Sequence, residues 1–351
     1  MQRKLSVEKE ENFLLYFKNK KGEIVPVKDK KINEKAKLKL NKIFEEHTTE
    51  LPIRFINNWE DVKLYHPKGN LDDAHALLIS PEEGAYDIYN KLNHLTGKEW
   101  TKFTCSWFVF NALQSDLKEE RTICKECEDH PATYSPTMME TFIKFFTKEK
   151  MSVLDPFMGI GSTLVGCKRT DRIGYGIELN KKYFDITIKR VPEFKRNVYN
   201  DDARNVKEIF HDKKFNFCIS SPPYWDVLNR STNNFRKSRT EKKLDVKYSL
   251  MKNDLGNIND YEEFLNEIST IYLDIHDLLY EGSYLAIIIK NIKKGNKLYP
   301  LAWDLARLLS KKYTLKDEKI WIQDKVGLAP YGYPSAWASN ILHHYCIILQ
   351  K

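Results

Sequence analysis

Four features are scarce in this chain of 351 residues: long apolar runs, organised cysteines, repeats and an excess of acid. No apolar run approaches the roughly 18 residues of a membrane-spanning helix. The opening residues MQRKLSVEKEEN lack the apolar core of a secretory signal, so a cytoplasmic protein with no membrane partner is expected. The six cysteines, Cys105, Cys124, Cys127, Cys167, Cys218 and Cys346, are scattered rather than spaced as a disulfide framework, which fits a reducing compartment. The lack of repeats or low-complexity segments excludes solenoids and fibres. With 57 Lys and Arg against 49 Asp and Glu, the net charge is +8 and the pI near 8.9, a balance that favours a polyanionic partner. What is present is enough apolar residue for a sizeable core, 42%, in a chain long enough for two unequal domains or one domain with an appendage.

The most informative stretch is Val153 to Asn180, VLDPFMGIGSTLVGCKRTDRIGYGIELN. It reads as strand, glycine loop, helix, strand. Val153 and Leu154 end a short apolar run, Asp155-Pro156-Phe157 closes it, and Gly159 and Gly161 let the backbone turn tightly and approach a ligand before a helix from Ser162. Such a turn directs free backbone N–H groups and a helix N-terminus at the bound molecule. The second strand, Ile173 to Ile177, ends at Glu178, about 20 residues on, where a carboxylate commonly binds ribose hydroxyls.

A nucleotide-like cofactor is therefore expected, but not a dinucleotide. The dinucleotide fingerprint requires a third glycine where Leu164 stands. Asp155 would also repel a pyrophosphate, whereas it would attract a cationic amine or sulfonium. S-adenosylmethionine (SAM) has both. Asp155-Pro156-Phe157-Met158-Gly159-Ile160-Gly161 resembles the DPFxGxG loop of the SAM-dependent DNA amino-methyltransferases, the enzymes that methylate N4 of cytosine or N6 of adenine.

Further along, the buried-looking strand Phe215 to Ser220 runs into Ser221-Pro222-Pro223-Tyr224-Trp225. Two prolines at a strand end fix the backbone and free it from ladder pairing, so the Ser221 side chain and the Pro222 carbonyl can point together into a cleft. Two acceptors beside an aromatic suit a flipped base with an exocyclic amino group, with Tyr224 stacking on the ring. The element resembles motif IV of the same family, [DNS]PP[YF], which makes Ser221, Pro222, Pro223 and Tyr224 the candidate catalytic residues. In that family Ser at the first position is typical of N4-cytosine enzymes, and Asp or Asn of N6-adenine enzymes. No Pro-Cys dipeptide occurs, so a covalent thiolate route to C5 of cytosine lacks its nucleophile.

The resemblance covers roughly residues 101–351 and implies more. His130-Pro131-Ala132-Thr133-Tyr134-Ser135-Pro136, before an amphipathic helix from Thr137 to Thr147, resembles the HPAxF/Y element and implies SAM contacts from Thr133 and Tyr134; Ser135 delays the usual second proline. Asp202 in Asp-Ala-Arg implies an acceptor for the adenine amino group of SAM, with a helix N-cap as the rival. Together with Asp155, Pro156, Phe157, Gly159, Gly161 and Glu178 these form the candidate cofactor set. The expected fold is a Rossmann-like α/β methyltransferase fold, mostly parallel and seven-stranded, preceded by an accessory region over residues 1–100. The expected partners are double-stranded DNA and a cognate restriction endonuclease acting on the same site. An RNA amino-methyltransferase and a non-catalytic SAM-sensing DNA-binding protein are the rival readings, and the intact quartet disfavours the second.

Two charged stretches bear on DNA. Residues 226–258 follow the quartet and include Arg230, Arg236, Lys237, Arg239, Lys242 and Lys243; loops at the carboxyl ends of strands are where ligands bind in such sheets, so phosphate contact is expected here. Residues 1–46 carry thirteen Lys and Arg against eight Asp and Glu, a pattern more often a solvated face. Cys124-Lys125-Glu126-Cys127 with His130 has zinc-ligand spacing, but no second CxxC or paired histidine completes it, so no metal is assigned.

Overall fold

The computed structural model describes residues 13–110, 134–225, 254–294, 297–323, 327–330 and 332–351. The chain divides into two compact units, Met1–Thr104 and Cys105–Lys351.

The first unit is a five-stranded sheet of order β2-β1-β3-β4-β5, formed by Leu15–Lys18 (β1), Ile24–Pro26 (β2), Lys63–Tyr65 (β3), Ala76–Ser80 (β4) and Gly84–Asp87 (β5). A hairpin joins β1 to β2: Phe17 stands opposite Val25, and Asn19 turns the corner by accepting from the Lys21 and Glu23 N–H groups. The Lys-rich segment is helix α1, Lys30–His47, capped by Asp29. Its Ala36, Leu40 and Ile43, at helical spacing, belong to the core that holds Leu15, Leu64 and Leu77. Two short helices, α2 (Ile53–Ile56) and α3 (Gly97–Phe103), are joined by Arg54, whose guanidinium donates to both Glu99 oxygens at 3.1 Å.

The second unit is built on an eight-stranded sheet of order β6-β14-β15-β11-β10-β7-β8-β9. Its strands are Trp107–Val109 (β6), Ser152–Asp155 (β7), Ile173–Ile177 (β8), Val198–Tyr199 (β9), Phe215–Ser220 (β10), Leu279–Ile289 (β11), Thr314–Ile322 (β14) and His343–Gln350 (β15). All neighbouring pairs are parallel except those of β15, which runs antiparallel to both β11 and β14. The sheet is thus mostly parallel, as expected, but it has one strand more than the seven anticipated. The addition is β6, three residues paired to the edge of β14. Such a segment is too short for alternation to show, and its Trp107 and Val109 are exposed rather than buried. A hairpin, Ile292–Lys294 (β12) with Lys297–Tyr299 (β13), was also not anticipated.

Helices α4 (Pro136–Phe146), α5 (Ser162–Arg169), α6 (Lys181–Arg190), α7 (Val206–Ile209), α8 (Tyr261–Leu278) and α9 (Leu301–Leu309) complete the unit. Each apolar face is used: α8 buries Phe264, Leu265, Ile268, Ile271, Tyr272 and Ile275 against a core that includes Phe215, Leu285 and Ile287 of the sheet. Strands β7 to β9 follow one another outward in one direction, and the chain then returns to place β10 on the other side of β7. That reversal falls at β7 and β10, and in parallel α/β sheets the carboxyl ends of the strands at such a switch point are the usual ligand position.

Candidate active site

Asp155 ends β7 and is 5% exposed. Its two oxygens are both occupied: Oδ1 accepts from the Phe157 N–H at 3.0 Å and Oδ2 from the Thr163 hydroxyl at 2.6 Å. Burial outweighs these donors and pushes the carboxyl up to about 6. Pro156 is buried and Phe157 half-buried, its ring 6.3 Å from that of Tyr272. The loop then turns through Gly159 and Gly161, both with positive φ of 54° and 81°. A Cβ on Gly161 would lie 2.8 Å from Thr187 Cγ2 of α6, and the Thr187 hydroxyl donates to the Gly159 carbonyl at 3.0 Å. Glycine at position 161 is therefore required by packing as well as by backbone conformation.

Glu178 closes this side. Its Oε2 accepts from the Gly159 N–H at 2.9 Å and its Oε1 from the Asn180 N–H at 2.7 Å. Burial, then the negative charges of Asp254 and Asp155, push it up to about 7, against the two backbone donors. The first residue of α5, Ser162, has a buried hydroxyl with no hydrogen-bond partner among the described residues. Two buried carboxyls whose ionisation a nearby positive charge would favour, a turn with glycine at two positions, and a hydroxyl with no partner among the described residues suit a ligand that is cationic and carries hydroxyl groups.

Asp202 follows β9 and caps the short turn Ala203–Asn205: Oδ1 accepts from the Arg204 N–H at 3.0 Å and Oδ2 pairs with the Arg204 guanidinium at 2.8 Å. The capping role that competes for this residue in the sequence is thus present.

The quartet leaves β10, where Ser220 Oγ and Tyr272 Oη share a buried hydrogen bond of 2.9 Å that fixes the strand end. Trp225 anchors the other end, buried with its ring 4.7 Å from Tyr299 and 5.1 Å from Tyr261. Between these anchors Pro222 is buried, while Ser221, Pro223 and Tyr224 are half-buried. Burial pushes Tyr224 up to about 12, so its phenol stays protonated.

Tyr134 is brought to this quartet. Its hydroxyl shares hydrogen bonds with Ser221 Oγ and, at 3.1 Å, with Tyr224 Oη; Ser221 Oγ and Tyr224 Oη are themselves 3.4 Å apart. The contact seen for Tyr134 is therefore with the quartet, whereas the motif resemblance implies a contact with the cofactor. Two residues outside the candidate site set complete this wall. Trp321 of β14 lies 5.6 Å from the Tyr134 ring and stacks on His344 of β15 at 4.1 Å and 18°, and His344 lies 6.1 Å from Tyr224. Burial, with Lys290 and His343 nearby, lowers His344 well below the ordinary histidine range and keeps it neutral. The sequence sign of this wall is the His343-His344 pair at the start of the last strand, where packing and hydrogen bonding are the expected roles; Trp321 carries no such sign.

Thr133, Cys124, Cys127, His130 and the basic residues Arg230, Arg236, Lys237, Arg239, Lys242 and Lys243 lie outside the described residues. Among the described residues no cluster of His, Cys, Asp and Glu could hold a metal ion, and no helix is long and apolar enough to cross a membrane.

A DNA methylase family model matches residues 3–189, taking in the glycine loop and Glu178 and ending before Ser221. The Type II methyltransferase M.BglI of Bacillus subtilis is 29% identical over 121 residues, 34% of this chain and 31% of the relative. M.Cfr9I of Citrobacter freundii is 41% identical over 69 residues, 20% of this chain and 23% of the relative. M.HindIII of Haemophilus influenzae is 32% identical over 91 residues, 26% of this chain and 29% of the relative. The chain thus matches less than a third of the length of each.

Proposed function

This chain belongs to the DNA methylase family, and from that premise we propose that it transfers a methyl group from SAM to the exocyclic N4 of cytosine in double-stranded DNA, as the modification member of a restriction-modification pair. What supports the reading is the position of two sets of residues at the carboxyl ends of adjacent parallel strands: Asp155, Gly159, Gly161 and Glu178 about the glycine loop after β7, and the Ser221 to Tyr224 quartet after β10.

The residues fit SAM. Glu178 is the candidate for the ribose hydroxyls and Asp155 for the cationic part of the ligand, and the glycines at 159 and 161 would allow close approach of the backbone; Thr133 and Asp202 remain candidates for its methionine and adenine ends. When bound, SAM supplies an electrophilic methyl group. The chain's own contribution is orientation. Ser221 Oγ and the Pro222 carbonyl accept the two amino hydrogens, which favours a pyramidal nitrogen whose lone pair is no longer shared with the ring, while Tyr224 stacks on the base flipped out of the helix. The basic residues Arg230, Arg236, Lys237, Arg239, Lys242 and Lys243 supply phosphate contacts.

Serine rather than Asp or Asn at position 221 supports cytosine over adenine. The test is to incubate the protein with SAM and DNA from a methylation-deficient host, digest to nucleosides and identify the modified one by mass spectrometry. N4-methylcytosine is expected. N6-methyladenine alone would overturn the base assignment, and transfer to RNA with none to DNA would overturn the substrate class.

A further inference from the structure

A serine hydroxyl at the head of the quartet poses a problem that a carboxylate or a carboxamide oxygen does not. Those oxygens only accept, whereas a hydroxyl both donates and accepts. Donation from Ser221 to the amino nitrogen would tie up the lone pair that must form the new bond. Something has to take the serine proton elsewhere.

We propose that Tyr134 is a positioning residue which accepts the Ser221 proton and so holds Ser221 as an acceptor toward the amino group being methylated. The inference rests on the methyltransferase reading and adds to it the residue that makes a serine workable at this position. Ser221 Oγ has two oxygen neighbours among the described residues, Tyr134 Oη and Tyr224 Oη, and Tyr134 is the nearer, Tyr224 being 3.4 Å away. Tyr134 in turn has Tyr224 Oη at 3.1 Å to take its own proton. Donation from Ser221 to Tyr134 and from Tyr134 to Tyr224 uses the serine proton inside the cluster and leaves Ser221 with a lone pair to accept from the amino group. Each donation also polarises the next.

The placement of Tyr134 is not left to a flexible loop. It directly precedes Ser135, the N-cap of α4, whose Met138, Met139, Phe142 and Ile143 are buried. On its other side the ring lies against Trp321, itself fixed by stacking on His344 and by donating from Nε1 to the Phe110 carbonyl at 2.6 Å.

The test is a double-mutant cycle of wild type, Tyr134→Phe, Ser221→Ala and the double variant. The readouts are single-turnover methyl transfer from labelled SAM to unmodified plasmid DNA, SAM affinity by calorimetry, and thermal melting. Phenylalanine keeps the ring against Trp321 and removes only the hydroxyl. Tyr134→Phe is expected to slow transfer about tenfold with SAM affinity and melting unchanged, and to cost nothing further in the Ser221→Ala background. An unchanged rate, an equal loss in both Ser221 backgrounds, or a loss traced to weaker SAM binding would each overturn the inference. If Tyr134→Phe melts below the assay temperature, Tyr134→His, which returns an acceptor to this position, must retain more of the rate than Tyr134→Leu; equal losses overturn it as well. A wild-type chain that transfers methyl groups to neither DNA nor RNA overturns the methyltransferase reading itself, a result plainly different from the others.

Discussion

The glycine loop and the Ser221 to Tyr224 quartet stand at the ends of two adjacent parallel strands and are held in opposite ways. The loop is supported from within its own stretch of chain: Thr163 donates to Asp155, Gly159 to Glu178 and Thr187 to Gly159. The quartet is supported from far away. Tyr134 precedes Ser221 by 87 residues, and Trp321 and His344 arrive from the last strands of the sheet. One side is a local module that any chain with this stretch would build; the other exists only once the whole sheet has closed. A local module is expected to fail locally, through strain and charge, and an assembled wall to fail through loss of a single orienting contact.

The largest effect that would test this contrast is Gly161→Val. A φ of 81° and a Cβ 2.8 Å from Thr187 Cγ2 impose both strain and overlap. SAM affinity should fall by about a hundredfold or more, roughly 3 kcal/mol, and the melting temperature should drop as well. Calorimetry showing wild-type affinity would remove the loop from the cofactor site.

Ser221→Ala should come next, slowing the chemical step by about ten- to a hundredfold while leaving SAM affinity intact, because the lost hydrogen bond strengthens as the nitrogen becomes pyramidal. A parallel fall in SAM affinity would mean that the two sides are not separable. Tyr224→Ala should instead weaken capture of the flipped base by roughly 1–3 kcal/mol, read as DNA affinity.

The pH response separates the two sides by charge. Asp155 is raised from 3.8 to about 6 and Glu178 from 4.5 to about 7, so the folded chain holds protons that the unfolded chain has released. Their contribution to stability is complete below the unfolded values and is lost as pH rises through the folded ones, so the ligand-free chain should become less stable from these groups between pH 3.8 and about 7. A cationic ligand reverses the preference by favouring both carboxylates. SAM affinity should therefore rise with pH up to about 7 and level off above it, Asp155 contributing below about 6 and Glu178 below about 7, by up to about tenfold per unit for each proton released. Glu178→Gln should flatten the upper part of that rise, and an unaltered slope would show that Glu178 does not face the ligand.

The smallest effect expected is Thr163→Val, which removes the hydroxyl donor to Asp155 but keeps the shape. Chemical denaturation should register a loss of about 1 kcal/mol, with the rate of transfer to DNA at saturating SAM unchanged.

Legibility in the sequence followed the same division. Asp155, the two glycines and Glu178 lie within a short span whose strand, turn and helix periods are readable one after another, and the hydrogen bonds that join them span few residues. The quartet was legible as a motif because two prolines at the end of a buried strand are a local signal. The short edge strand Trp107–Val109 was not, since three residues carry no period, and neither was the contact of Tyr134 with Ser221, because a motif records spacing and not the direction in which a side chain points.

What the amino-acid order determined by itself was therefore the alternation of strands and helices, the glycine turn with its two acids, and the acceptor pair beside an aromatic ring. These rest on backbone preferences and on apolar spacing, which act over a few residues. Only the tertiary structure decided which distant side chains meet Ser221. Strand order is set by the packing of all the helices against the sheet, and the stacking of Trp321 on His344 and the reach of Tyr134 to Ser221 depend on β14 and β15 taking their places beside β11. Contacts between residues so far apart are fixed by the free energy of the whole core and leave no periodic trace in the chain.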